Sequence, residues 1–329
     1  MDSKTQAIGI DLGGTKIAAA LVDQDGKIDR SLRTFTDVDG GPSAVKEQIV
    51  DLVGELVGAG TGSAIGVGVG VAGQIKADDG SVLFAPNLDW HDIPLQAELQ
   101  TALDLPVMVT NDVRAITWGE YRFGAGRGCD NLICMYVGTG IGGGIVSEGK
   151  LVSGCSNTAG EIGHIVIDMH GPLCNCGNRG CLEVLAGGLA IGKRARIMAR
   201  THAKQGAALL RLAGGRPEHI SAETVAQAYH EGDPLADYLV AEVVEALVAG
   251  VSSLVHSFNP CLLILGGGVI DGLPQLVEQV EQGIFRQCLP AATENFRVVG
   301  SALADEAGVI GAAALAMESS TTNTNGKQP

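Results

Sequence analysis

The sequence contains one pattern twice, about 130 residues apart. Each copy has an apolar segment, a glycine-rich turn, a second apolar segment and a turn that ends in Gly-Lys. The copies comprise Ala7 to Asp11, Leu12 to Lys16, Ile17 to Val22 and Asp23 to Lys27, and then Asn131 to Val137, Gly138 to Gly144 and Ser147 to Lys150. Short apolar segments bounded by turn residues are typical of strands. The pattern therefore predicts two similar halves, each with a glycine hairpin between strands.

The glycine hairpins predict phosphate-binding sites, because backbone N–H groups exposed at such turns form a concave site for anions. Asp11 would then face magnesium, and Thr15 would donate to a phosphate oxygen. Two hairpins from two similar halves could bind one polyphosphate between them. A tight hairpin with a surface aspartate is the alternative interpretation.

Two other nucleotide-binding motifs are excluded by the same stretches. The P-loop motif G-x-x-x-x-G-K-[ST] does not occur. The dinucleotide pattern G-x-G-x-x-G occurs at Gly68 to Gly73 and at Gly138 to Gly143, but no predicted helix follows either match. The glycines therefore belong to strands and hairpins.

Three cysteines, Cys174, Cys176 and Cys181, lie close together in the sequence, and two histidines, His164 and His170, precede them. Three thiolates and one imidazole are a usual ligand set for tetrahedral structural zinc. Spacing alone favours His164 as the fourth ligand and leaves His170 as the alternative. Without a secretory signal a disulfide network is disfavoured, and redox-active cysteines remain a second alternative.

Carboxylates flank this cysteine loop at Glu161 and Glu183. A structural zinc site does not require them. Their position therefore indicates that the metal orders a polar surface that binds something else.

Two further segments carry candidate functional residues. The strand Val107 to Thr110 ends at Asn111 and Asp112, where a helix is predicted to begin. Function often lies at the carboxyl ends of strands in α/β folds, although Asp112 could serve only as a helix N-cap. The strand Cys261 to Leu265 ends at Gly266 to Gly268, which we interpret as a close approach to adenine, with tight internal packing as the alternative.

Hydrophobic periodicity predicts several further elements. The predicted strands and helices are Pro42 to Leu56 (helix), Ala64 to Val71 (strand), Pro94 to Leu103 (helix), Val113 to Phe123 (helix), Glu183 to His202 (helix), Ser221 to His230 (helix), Pro234 to His256 (helix), Pro274 to Cys288 (helix), Phe296 to Gly300 (strand) and Asp305 to Met317 (helix).

Composition limits the class of protein. A chain of 329 residues favours two lobes. The net charge of −15, without a basic cluster, disfavours nucleic acid and anionic membranes as partners. We find no apolar run that we expect to span a bilayer and no secretory signal, so a cytoplasmic location is expected. The polar segment 319–329 is expected to be a disordered tail.

These motifs resemble the ROK family of bacterial sugar kinases. The matching segments are DLGGTK at Asp11 to Lys16, APNLDW at Ala85 to Trp90, ND at Asn111 and Asp112, GTGIGGG at Gly138 to Gly144, GEIGH at Gly160 to His164, CNCGNRGCLE at Cys174 to Glu183 and LGGG at Leu265 to Gly268. They run in family order over nearly the whole chain, and the resemblance is greatest to the glucokinases of the family. One departure is Gly187, where the family often has serine, so we expect different local packing behind Glu183.

The resemblance implies a two-lobed actin-like ATPase (ribonuclease H-like) α/β fold with duplicated glycine hairpins, and homodimers or homotetramers. We place a small lobe at 1–113 plus 303–318 and a large lobe with the zinc loop at 114–302. ROK repressors share this body and add an N-terminal DNA-binding segment, for which the first strand near residue 7 leaves no room.

The resemblance also implies ATP-dependent phosphorylation of a hexose at its 6-hydroxyl, with Asp112 as catalytic base. The implied hexose ligands are Asn87, Asn111, Asp112, Glu161, His164 and Glu183. The implied nucleotide and magnesium residues are Asp11, Gly13, Gly14, Thr15, Gly138, Thr139, Gly140, Gly266, Gly267 and Gly268. The implied ligands of a structural zinc are His164, Cys174, Cys176 and Cys181.

Glucose is the expected substrate, and other hexoses such as N-acetylmannosamine, N-acetylglucosamine and fructose are the nearest alternatives. A non-catalytic sugar sensor and an actin- or chaperone-like ATPase are alternatives from other classes. The intact Asp112 disfavours the sensor, and the zinc loop disfavours the ATPase.

Overall fold

The computed structural model describes residues 5–58, 64–202 and 204–325, with side chains to Ser320. The chain divides into two compact units. The first unit comprises Met1–Gly128, Gly149–Gly160 and Ala302–Pro329, and the second comprises Cys129–Glu148 and Glu161–Ser301. The first unit therefore extends beyond the expected boundary at residue 113 and includes the helix that follows it.

The strands of the described residues are β1 Gln6–Leu12, β2 Lys16–Asp23, β3 Ile28–Phe35, β4 Ala64–Val71, β5 Gln74–Ile75, β6 Val82–Ala85, β7 Trp90–Ile93, β8 Val107–Asn111, β9 Leu132–Val137, β10 Ile141–Ser147, β11 Lys150–Leu151, β12 Leu262–Gly266 and β13 Arg297–Gly300. The α-helices are α1 Gly41–Gly58, α2 Leu95–Leu103, α3 Asp112–Phe123, α4 Glu183–Ala186, α5 Gly188–Thr201, α6 Ala207–Leu212, α7 Ala222–His230, α8 Pro234–Phe258, α9 Gly268–Gly272, α10 Leu276–Gln287, α11 Pro290–Thr293 and α12 Ala307–Asn325. Short 3-10 helices lie at Ile162–His164, Pro217–His219 and Ala304–Glu306.

Two five-stranded sheets repeat one topology. Their strand orders are β3-β2-β1-β4-β8 and β11-β10-β9-β12-β13. In the first sheet, β1 pairs antiparallel with β2 and parallel with β4. In the second sheet, β9 pairs in the same way with β10 and β12. The sequence-predicted repeat is confirmed, and each glycine hairpin joins the first two strands of its sheet. A small antiparallel sheet, β5-β6-β7, adds strands that the sequence analysis did not predict.

The first sheet buries different residues on its two faces. Ile8 and Ile10 of β1 belong to a core cluster that also contains Val45 and Ile49 of α1. Ala7, on the opposite face, packs in a cluster with residues of α12. This alternation follows the two-residue period of a strand.

Glycine allows α12 to lie directly against the sheet. A Cβ atom on Gly9 would lie 1.7 Å from the carbonyl oxygen of Val309, and one on Gly68 would lie 1.9 Å from that of Ala312. Real Cβ atoms cannot approach an oxygen so closely, so a side chain at either position would displace the helix. The alternating Gly/Val sequence of β4 thus places valines in one core and glycines under a helix.

The core of the second unit contains α8, which packs against α4, α5, α7 and α10. By length and composition α8 is apolar enough to cross a membrane, contrary to the expectation from sequence. Most of this helix is buried inside the unit, and a buried core helix of a globular protein can be as long and as apolar as this one.

Two predicted elements differ from the structure. The helix expected from Glu183 to His202 is broken at Gly187, whose backbone is extended (φ −70°, ψ 153°), into α4 and α5. The last helix continues beyond Met317 to Asn325, within the segment expected to be a disordered tail. Ser319 and Ser320 each donate through Oγ to the carbonyl oxygen of Ala316, inside this helix.

We predict that Gly9→Ala destabilises the first unit by about 1–3 kcal/mol or more, because the new methyl group overlaps the backbone of α12. Urea unfolding measures the effect. Gly54→Ala is the matched control, because Gly54 lies exposed in α1 and a Cβ there meets nothing within 4 Å. That change should add about 0.5–1 kcal/mol through helix propensity. Equal unfolding midpoints for the two variants would contradict the packing account.

Candidate functional site

The second unit brings together His164, Cys174, Cys176 and Cys181, whose ligand atoms all lie within 4.8 Å of one another. The Nδ1 atom of His164 lies 3.6 Å from Cys174 Sγ, and the sulfur atoms of Cys176 and Cys181 are also 3.6 Å apart. Tetrahedral zinc, with Zn–S of about 2.3 Å and Zn–N of about 2.0–2.1 Å, holds its ligand atoms about 3.6–3.8 Å apart. The cluster fits zinc, and His170 lies outside it.

The cysteine loop folds back on itself through backbone hydrogen bonds. The N–H of Gly177 donates to Cys174 O (3.0 Å), and the N–H of Gly180 donates to Pro172 O (2.8 Å). Both glycines have positive φ, at 92° and 62°, a conformation that other residues rarely adopt. A Cβ on Gly180 would also lie 1.6 Å from Asp168 O. These glycines are therefore required by the loop itself.

The thiols of the cluster have shifted pKa values. Burial raises the pKa of Cys181 to about 12, and hydrogen bonds with the neighbouring thiols add to the increase. The backbone N–H of Asn178 lowers the pKa of Cys176. A divalent cation among the sulfur atoms would favour their thiolate forms.

The predicted hexose ligands of the second unit lie at both ends of this loop. Glu161 is exposed and precedes the 3-10 helix that contains His164. Leu182 N–H donates to Ile165 O (2.9 Å), which joins the end of the loop to this helix. Glu183 begins α4, and its Oε2 accepts from the backbone N–H of Ile141 at 3.0 Å.

The second glycine hairpin, Gly138 to Gly140, lies beside Glu183. A Cβ on Gly140 would lie 2.1 Å from Glu183 Oε2. The N–H groups of Gly188 and Leu189 donate to the carbonyl oxygens of Gly138 (2.9 Å) and Thr139 (3.0 Å). The hairpin is thus held by the first two residues of α5. The side chain of Thr139 is exposed.

The glycines at the end of β12 have mainly internal contacts. A Cβ on Gly266 would lie 2.6 Å from the ring of Tyr136, and one on Gly267 would lie 2.8 Å from Val137 O. Internal packing, the alternative named from sequence, therefore explains these two glycines. At Gly268 a Cβ would meet nothing within 4 Å, so this residue leaves open space.

The first glycine hairpin, in the first unit, lies beside another predicted hexose ligand. Gly13 N–H donates to Lys16 O (3.1 Å), while Thr36 donates through Oγ1 to Gly13 O (2.7 Å). A Cβ on Gly14 would lie 2.4 Å from Asn87 O. The exposed Asn87 lies in the turn between β6 and β7.

The Asn87 turn is anchored by its neighbours. Leu88 and Trp90 are each only 1% exposed. These buried side chains fix the turn, and Asn87 therefore has a defined place beside the hairpin.

Asp11 lies at the end of β1, on the face covered by α12. A Cβ on Gly308 would lie 3.0 Å from its carboxyl carbon. Burial raises the pKa of Asp11, Asp305 adds to the increase, and Lys16 and Arg33 oppose it. A raised pKa means that the folded state favours the protonated carboxyl group, and this stabilisation is lost as pH rises through that pKa. A bound cation would favour the ionised form.

Asn111, and not Asp112, is the N-cap of α3. Its Oδ1 accepts from Arg114 N–H (3.1 Å), and its Nδ2 donates to Gly73 O (3.2 Å). Asp112 is the first residue of the helix, and a Cβ on Gly70 would lie 3.3 Å from its Cα. Because Asn111 does the capping, Asp112 is not needed for it.

Sequence reasoning missed several residues that build these sites. Buried Arg114 donates to Val152 O (3.2 Å) and Ser153 Oγ (2.8 Å), and holds a returning segment against α3. Gly163 and Gly188 pack on the second hairpin. The glycine in GEIGH and the pair Gly187-Gly188 were visible signals, but nothing local identified their partners.

Comparison with known proteins agrees with this architecture. The ROK family pattern matches residues 7–319. A glucokinase from Thermotoga maritima is 37% identical over 96% of this chain and 98% of that protein. An N-acetylmannosamine kinase from Escherichia fergusonii is 34% identical over 94% of this chain and 97% of that protein. A ROK family glucokinase from Streptomyces griseus, crystallised with glucose and AMPPNP, has a TM-score of 0.83 at 36% identity and covers 95% of this chain and 99% of its own.

The duplicated α/β sheets and glycine hairpins define an actin-like ATPase fold, as expected from the sequence. The chain belongs to the ROK family. The cysteine–histidine cluster fits the zinc motif of that family.

We predict that Cys176→Ser lowers the zinc content of the purified protein well below the wild-type level and lowers its melting temperature, because the metal loses a thiolate. Plasma mass spectrometry and thermal unfolding measure the two effects. Cys155→Ser is the matched control, since Cys155 is exposed and lies outside the cluster. The zinc site would be refuted by equal metal content in both variants.

Proposed function

We propose that this protein transfers the γ-phosphoryl group of ATP to the 6-hydroxyl of glucose. The observation that carries the proposal is the contact between Glu183 and the second glycine hairpin, beside a cluster that fits zinc. This arrangement puts a carboxylate suited to a sugar next to backbone suited to phosphate. The similarity to glucokinases, one of them crystallised with glucose and AMPPNP, supports glucose and ATP as the substrates.

Hexose recognition is assigned to polar side chains. A sugar hydroxyl both donates and accepts, so carboxylates, amides and imidazole suit it. The proposed ligands are Asn87, Asn111, Asp112, Glu161, His164 and Glu183. In His164, Nδ1 faces the sulfur atoms, and Nε2 is therefore available for a hydroxyl. Metal ligation would fix this tautomer.

Zinc is proposed to have a structural role. Four protein ligands close a tetrahedral site and leave no position for a reacting water. The metal would hold the 3-10 helix with His164 near the start of α4, and so fix the spacing between Glu161 and Glu183.

Nucleotide binding is assigned to the two hairpins and to the end of β12. Backbone N–H groups of Gly14, Thr15, Thr139 and Gly140 would bind phosphate oxygens. Those of Gly13 and Gly138 donate to Lys16 O and Gly140 O, so these two residues would shape the turns instead. Of Gly266, Gly267 and Gly268, which the family resemblance assigns to adenine, the first two are packed internally. Of these last three, Gly268 has the open space such a role requires. Asp11 would hold magnesium through water, and the ion would neutralise charge on the transferring phosphate.

Asp112 is the proposed catalytic base. Its carboxylate takes the proton of the 6-hydroxyl while that oxygen bonds to the γ-phosphorus and the bond to the ADP oxygen breaks. Asn111 supports this role, because it caps α3 and spares Asp112 from capping.

A cytoplasmic location and a homodimer or homotetramer complete the proposal. A reducing compartment suits a cluster of three free thiols. Light scattering of the purified protein measures the oligomer.

We predict that glucose has the highest kcat/KM in a panel of glucose, mannose, fructose, N-acetylglucosamine and N-acetylmannosamine with ATP. A coupled assay of ADP release measures each value. N-acetylmannosamine is the nearest competitor, since a kinase for that sugar is 34% identical. A tenfold higher kcat/KM for an acetamido sugar would make that sugar, and not glucose, the proposed substrate. ATP hydrolysis that does not depend on any sugar would reject the sugar-kinase proposal.

We predict that Asp112→Asn lowers kcat for glucose at least 100-fold, because general-base catalysis contributes about 10²–10⁴-fold. Glucose binding, measured by calorimetry, should remain detectable. Asp104→Asn is the matched control, as Asp104 is exposed and adopts a left-handed conformation that asparagine tolerates. An unchanged kcat in Asp112→Asn would remove this residue from the mechanism.

A further inference from the structure

The first residue of β10, Ile141, is contacted by both segments that carry hexose ligands in the second unit. Its N–H donates to Glu183 Oε2 at 3.0 Å. On its carbonyl side, a Cβ on Gly163 would lie 2.1 Å from the oxygen. Gly163 lies between Glu161 and His164, so the peptide groups of Ile141 are confined by the two ends of the cysteine loop.

The other end of the hairpin is held by the same short stretch of chain. Gly188 and Leu189 donate to the carbonyl oxygens of Gly138 and Thr139. A Cβ on Gly188 would lie 2.7 Å from Gly138 O, so this contact also requires glycine. The segment 183–189 therefore makes three hydrogen bonds to the hairpin, of which only the one from Glu183 uses a side chain.

We propose that Glu183 is a positioning residue that couples hexose binding to nucleotide binding. This inference rests on the proposed function, in which Glu183 binds the sugar and the hairpin binds phosphate. A carboxylate has two oxygens with about four acceptor sites, so one can hold Ile141 while the other accepts from a hydroxyl. The absence of a side chain on Gly140 keeps the carboxylate in contact with the hairpin.

The coupling follows from ordering. A hexose hydroxyl on Glu183 restricts the carboxylate, and the hydrogen bond from Ile141 then restricts the start of β10 and the hairpin. A nucleotide that arrives second meets a hairpin that is already ordered and binds more tightly. By linkage, the nucleotide must strengthen hexose binding by the same factor.

The test is calorimetry on the full-length zinc-loaded protein, with Mg-AMPPNP titrated without glucose and with saturating glucose. The ratio of the two Kd values is the coupling factor. We expect about 5–150-fold for the wild type. Glu183→Ala should bring the ratio within about twofold of unity at saturating glucose, and Glu183→Gln should give an intermediate ratio, because a neutral acceptor makes a weaker hydrogen bond.

Glu161→Gln is the matched control, a change at the other proposed hexose carboxylate. It should weaken glucose binding and keep the wild-type ratio. Gly188→Ala tests the hairpin without altering a proposed sugar contact, and should lower the ratio at least fivefold with glucose Kd within about twofold of wild type. Gly188→Ala also tests the coupling if Glu183→Ala fails to fold.

Two results would overturn the coupling. One is a wild-type ratio of unity in an enzyme that phosphorylates glucose. The other is a ratio of Kd values equal to that of the wild type in the folded Glu183→Ala or Gly188→Ala variant. A wild-type protein that neither binds nor phosphorylates any hexose would instead reject the proposed function, so the two failures are distinguishable.

Discussion

Backbone packing against glycine is the constraint on which this structure depends. At Gly9 and Gly68 it lets α12 lie on the first sheet, and at Gly14 and Gly140 it puts the hairpins against Asn87 and Glu183. At Gly9, Gly68 and Gly14 the close neighbour is a backbone oxygen, so a larger residue would force the backbone to shift. At Gly140 the close neighbour is the carboxylate of Glu183, which a larger residue would displace. The cost is that glycine loses more conformational freedom on folding than other residues. The benefit is that groups from distant parts of the chain come within hydrogen-bonding distance.

The cysteine cluster and the second hairpin form one closed set of contacts. His164 lies in one cluster with the three cysteine sulfur atoms, and Glu183 follows the last of these cysteines. Glu183 accepts from Ile141 N–H, and Ile141 O in turn lies against Gly163, the residue before His164. Removal of any member leaves its neighbours less constrained. A metal in this set would therefore stabilise the hairpin as well as the loop that binds it, although it contacts only the loop.

The sequence was sufficient where a feature is local. The hairpins, the cysteine loop, β4 and the helix that begins after Ser221 follow from motifs and hydrophobic periodicity within short windows. It was insufficient where the cause is distant. The partner of Gly9 lies in α12, near the other end of the chain, and the break at Gly187 depends on its contacts with the second hairpin. Asn111 and Asp112 are both good N-caps, so only the backbone conformation separates their roles. Composition could not show that the close neighbour of Gly266 is the ring of Tyr136, and that of Gly267 the backbone of Val137, instead of a ligand.

The position of α12 has a consequence for synthesis on the ribosome. This helix supplies Val309, Ile310 and Ala313 to a core cluster of the first unit, whose strands β1 and β2 are made first. The first unit therefore keeps a bare sheet face until the last helix emerges. The second unit has all of its segments by Ser301, so it can complete its core earlier. The unit whose strands are translated first is thus the unit that finishes folding last. Its exposed apolar sheet face needs protection from aggregation until then.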